Sequence, residues 1–289
     1  MTREVWTVTF ALDRPAPLEV YSEISAMRVE VKENNSQVVI SVVQAASIDE
    51  ALKKASSAAN QFLNELSRKF SAHLAIKGES YAVEHVAPSG EKQVVVHPEP
   101  ASCVMGGGRV IVVKKDASGN TVEVWDSQKP GKIDVKPSDS TPYYRRAHLT
   151  NDSFDRFRNL YLASENVADK IRINKGCRNK HDLKRIYGLE SSEESLLRLA
   201  LDECFAKDLQ PLIQAARHIH TFDDKQLVVP QVSEILYKAN RCQLSHAKAS
   251  EDKKVPFNPQ DEEEVKAALP LMDFVAKSLL EYEQTSLLK

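Results

Sequence analysis

Up to about residue 136 the apolar positions come in short β-branched runs, and beyond that point they recur at helical spacing. VWTVTF, MRVEV and QVVISVV have the alternation and residue types of strands, and the last two are separated by a turn at Glu33-Asn34-Asn35-Ser36. Ser47 precedes Glu50 at capping-box spacing. Behind it Ala51, Leu52, Ala55, Ala58, Ala59, Phe62, Leu63 and Leu66 form one stripe, predicting a helix to about Phe70. EKQVVVH, RVIVVKK and NTVEVWD predict further strands, the last two joined across Asp116 to Asn120. A sheet with one helix packed on a face accounts for this half, so the expected class is α+β.

The stretch from Ser127 to Tyr143 carries prolines and a glycine with no periodicity, and reads as a linker or domain-crossing loop. The boundaries drawn from it are an α+β domain over 1–136, a linker over 137–147 and an all-α helical bundle over 148–289. In the bundle, Phe154, Phe157, Leu160, Tyr161, Ser164, Val167, Ala168 and Ile171 share a face, behind Asn151-Asp152-Ser153 as capping residues. Leu196 to Phe205, Leu212 to Ile219 and Val232 to Ala239 predict three more helices. The last opens at Asp261 to Glu264, acids suited to a helix N-terminus, and carries Pro270 as a possible kink. Five helices with short connections form an antiparallel bundle.

Composition changes this picture little. With 42% hydrophobic and 28% charged residues and a net charge of -2, the chain has the composition of a folded protein without a general polyanion-binding charge. No window has the length and apolarity of a membrane span, and the first residues lack a secretory signal. Cys103, Cys177, Cys204 and Cys242 lie far apart, with no CxxC, so the expectation is a reduced, cytoplasmic protein without a zinc ribbon.

The sharpest local feature is Ala239-Asn240-Arg241-Cys242-Gln243-Leu244-Ser245-His246. Five residues along a helix turn through about 140°, so Arg241 and His246 share no stripe, although arginine's long stem can bring the two heads together. Histidine moves protons near neutral pH, and arginine is a permanent phosphate ligand, so the pair suits phosphodiester cleavage. The alternative is an arginine paired with a carboxylate and a histidine on a solvated turn. A second feature holds Lys170, Arg172, Lys175, Arg178, Lys180, Lys184 and Arg185 against the lone Asp182. It reads either as an RNA-phosphate patch, which Arg145, Arg146, Arg156 and Arg158 extend, or as a solvated helix end. Tyr143 and Tyr144 read equally as core or as stacking platform. Met105-Gly106-Gly107-Gly108-Arg109 lacks the ending of a phosphate loop, and His218 and His220 diverge on a helix, so neither a cofactor nor a metal is expected.

The run Ile235 to Arg241, then His246, then Pro256-Phe257-Asn258-Pro259 and the amphipathic final helix resembles a HEPN domain, with Ser153 to Tyr161 similar to its first helix. The resemblance spans roughly Tyr143 to Lys289. It implies a metal-independent endoribonuclease cutting single-stranded RNA, acting as a homodimer whose two Arg–His pairs share a cleft. Arg241 would steady the phosphate and His246 would assist attack by the ribose 2′-hydroxyl. Active members commonly carry a polar residue directly after the arginine; here that place holds Cys242, and Asn240 precedes the arginine as possible support. The alternative is a non-catalytic dimerisation or partner-binding module. The β-rich region before such a bundle is also similar in layout to an accessory protein of methylamine-utilisation clusters. An effector or partner for the N-terminal domain is expected, but the sequence does not name it.

Overall fold

The computed structural model describes residues 4–32, 34–86, 92–97, 111–115, 121–126, 131–190, 192–222, 224–237 and 259–288. The chain is α+β and divides into two compact units, Met1–Pro137 and Ser138–Lys289.

The N-terminal unit is built on strands β1 (Glu4–Leu12), β2 (Val20–Ile24), β3 (Met27–Val31), β4 (Gln37–Ala45), β5 (Ile76–Val86), β6 (Lys92–His97) and β9 (Gly131–Lys132), in the order β6-β5-β1-β4-β3-β2-β9. β2 and β9 pair in parallel, while the other neighbours pair antiparallel. β7 (Ile111–Lys115) and β8 (Thr121–Asp126) form a separate two-stranded sheet. Alternation puts Trp6, Val8, Phe10 and Leu12 of β1 in the core. β4 follows the same rule through Val38 and Ile40 and then changes parity to Val43 and Ala45. The shift is a bulge: Val8 opposes Ile40 but Trp6 opposes Val43. The extra residue there, Val42, has φ 63°. That is a strained conformation for a β-branched side chain, and it lets both ends of β4 face inward.

Helix α1 (Ile48–Phe70) covers the sheet with Ala51, Ala55, Ala58, Ala59, Phe62, Leu63 and Leu66, the stripe read from spacing. Ser47 Oγ accepts from the Glu50 amide, while the Glu50 carboxylate accepts from the Ala46 amide rather than completing the box at Ser47. Two core strands carried no clear pattern. β2 is short, and β5 (IKGESYAVEHV) mixes polar and apolar residues. The expected turn at 116–120 lies outside the described residues.

The helical unit contains α2 (Thr141–Leu149), α3 (Ser153–Asn174), α4 (Lys180–Tyr187), α5 (Glu193–Cys204), α6 (Gln210–Ala216), α7 (Val228–Leu236) and α8 (Pro259–Tyr282). The segment read as a linker, 137–147, therefore holds most of a helix. Of its two prolines, Pro142 sits in the first turn of α2, where its missing N–H has no intrahelical role. Tyr144 and Ala147 of α2 join the core. α4 was also missed, because Leu183 is the sole buried one among its described residues and a solvated short helix has no stripe to read. α3 matches its expected face, with Phe157, Leu160, Tyr161, Ser164, Val167, Ala168 and Ile171 buried. It packs against α2, α5 and α8, and α5 packs against α7. Asp152 and Ser192 cap α3 and α5, and Pro270 lies inside α8. No helix among the described residues is long and apolar enough to cross a membrane.

Candidate functional site

Arg241, His246, Asn240 and Cys242 lie outside the described residues, as does the glycine run at Met105 to Arg109. What is described is the frame on either side. α7 leads to Tyr237, whose ring lies 6.4 Å from that of Tyr161 on α3, and α8 takes over at Pro259.

Apart from Lys180, whose side chain lies outside what the structure describes, the cations of the second feature are described, and most are engaged within the unit. Lys170 Nζ meets Glu283 Oε1 at 2.5 Å, and Ser138 Oγ donates to the other Glu283 oxygen at 2.7 Å. Arg172 is buried; it binds Asp169 at 2.8 Å and donates to the Cys177 carbonyl, closing the C-terminal end of α3. Lys175 Nζ lies 2.7 Å from Glu203 on α5. This hydrogen bond raises the lysine above its ordinary pKa and, despite burial, holds Glu203 below the carboxylate range. Arg185 binds Asp182 at 2.8 Å. Asp182 in turn closes the α4 capping box with Asn179, and the N–H groups of Asn179 and Arg178 hold its carboxyl low. Arg178 and Lys184 make no ion pair among the described residues. Four of the seven cations thus act as structural ties. Of the proposed extension, Arg145 is buried and Arg156 is bound up in a cluster of its own. Tyr144 is core, whereas Tyr143 is exposed.

The cluster around Arg156 joins three helices. His148 Nε2, at the end of α2, lies 2.9 Å from Asp273 Oδ1 on α8. Arg156 Nη2 of α3 makes a long 3.5 Å contact with His148 Nδ1. A carboxylate only accepts, so the Nε2 proton goes to Asp273. Tyr144 stacks edge-on against His148 at 4.7 Å and hydrogen-bonds Asp273. Burial, then the Asp273 charge, pushes the Tyr144 phenol upward. Burial raises Asp273 too, but the His148 hydrogen bond and charge, with Arg156 and Tyr144, outweigh it and leave the carboxyl below its ordinary value. With both ring nitrogens occupied, His148 is set to clamp α2, α3 and α8 together. Sequence reading missed this cluster because His148 and Asp273 are 125 positions apart and carry no local signature.

His218 Nε2 contacts the Ala267 carbonyl at 3.2 Å, and His220 lies edge-on to Phe222. Among the described residues no group of three His, Cys, Asp or Glu side chains is placed to hold a metal ion.

Residues 142–281 match the family described as methylamine utilization protein MauJ. The match lies wholly within the helical unit and runs from α2 to α8, so the similarity is to the bundle and leaves the sheet aside. No curated protein and no solved structure matches the chain.

Proposed function

We propose that the helical unit is a non-catalytic, HEPN-like dimerisation module, through which the chain serves as an accessory in methylamine utilisation. The observation that carries this reading is the pairing of Lys170, Arg172, Lys175 and Arg185 with carboxylates of their own unit. Polynucleotide affinity grows with the number of phosphates neutralised. A cation already closed on a carboxylate adds little to it. The same stretch exposes Ile173, Ile186 and Tyr187, apolar surface of the kind that protein contacts cover. The occupant on this reading is a second copy of the chain. Light scattering of the full chain at micromolar concentration is expected to give a dimer, and Ile186→Asp with Tyr187→Asp a monomer. A monomeric parent protein would end the reading.

The similarity to the family described as methylamine utilization protein MauJ supplies the setting. A second reading, RNA cleavage by Arg241 and His246, is favoured by the position of that segment between α7 and α8, directly after Tyr237 packs on α3. It requires cleavage of single-stranded RNA in EDTA, intact DNA and cyclic-phosphate products. His246→Ala would slow it by about 10²–10⁴-fold, and Arg241→Ala by about 10²-fold or more. Cleavage persisting in both folded variants refutes the assignment.

A further inference from the structure

We draw no further inference here: the strongest candidate, the surface patch at the outer edge of the seven-stranded sheet, where Val94 and Val95 of β6 are both exposed, carries no proposal, because nothing in the structure shows what covers it.

Discussion

Replacing Asp273 tests whether the three-helix clamp stabilises the helical unit. Asp273→Ala removes the acceptor for His148 Nε2 at 2.9 Å and for the Tyr144 phenol, and leaves both largely buried polar groups without it. Hydrogen bonds to a charged group contribute about 1.5–3 kcal/mol each. Asp273 keeps 31% of its side chain exposed, so water compensates part of the loss, and the expected cost is about 2–3 kcal/mol. At about 2–4 °C per kcal/mol for a unit of this size, the melting temperature should fall by about 4–12 °C. Asp273→Asn keeps an acceptor but not the charge and should cost about 1 kcal/mol. The pH dependence follows from the depressed carboxyl. On acidification the unfolded chain takes up this proton first, near pH 4. The charge-dependent stabilisation is therefore complete above about pH 4 and is lost as the pH falls through the lower folded value. Thermal melts by circular dichroism at neutral pH, and then at the most acidic pH at which the parent still folds, should show the gap between parent and Asp273→Asn narrowing. A penalty for Asp273→Ala below about 0.5 kcal/mol, or an Asn gap unchanged by pH, refutes the reasoning.

Val42→Gly should stabilise the N-terminal unit by about 0.5–1 kcal/mol, because relief of left-handed strain, about 1–2 kcal/mol, outweighs glycine's extra chain entropy. A urea midpoint that does not rise contradicts it. Burial, with the charge of Glu281, pushes the Cys204 thiol up to about 12, so Cys204 should resist iodoacetamide at pH 8 until the chain unfolds. Mass spectrometry of labelled peptides reads this directly, and rapid native labelling at Cys204 would refute it.

The parts of the fold legible in the sequence are those where one element carries its own periodicity. Ser47, the alanine stripe of α1 and the Phe157 to Ile171 face of α3 each follow from local spacing and burial. The Val42 bulge is different, since a period-two reading of QVVISVV assigns Val43 and Ala45 to the wrong face unless the extra residue is known. α2 was hidden by its proline and by its neighbours in a polar stretch, although Pro142 marks a helix start as readily as a linker. In the basic stretch, charge was legible and its partners were not. Glu203 and Glu283 reach Lys175 and Lys170 only through tertiary packing.

Glu283 bears on how the helical unit closes on itself. Ser138 is the unit's first residue and Glu283 lies just past α8, yet their side chains meet at 2.7 Å, with Lys170 on the same carboxylate. The two ends of the unit are therefore neighbours, and the polypeptide traces a nearly closed ring. Such a ring can be opened elsewhere and rejoined here by a short peptide, giving a circular permutant with its core contacts intact. Deleting the stretch from Glu283 onward instead removes the fastening at both ends at once, so the first and last turns of the unit should lose their protection from hydrogen exchange together.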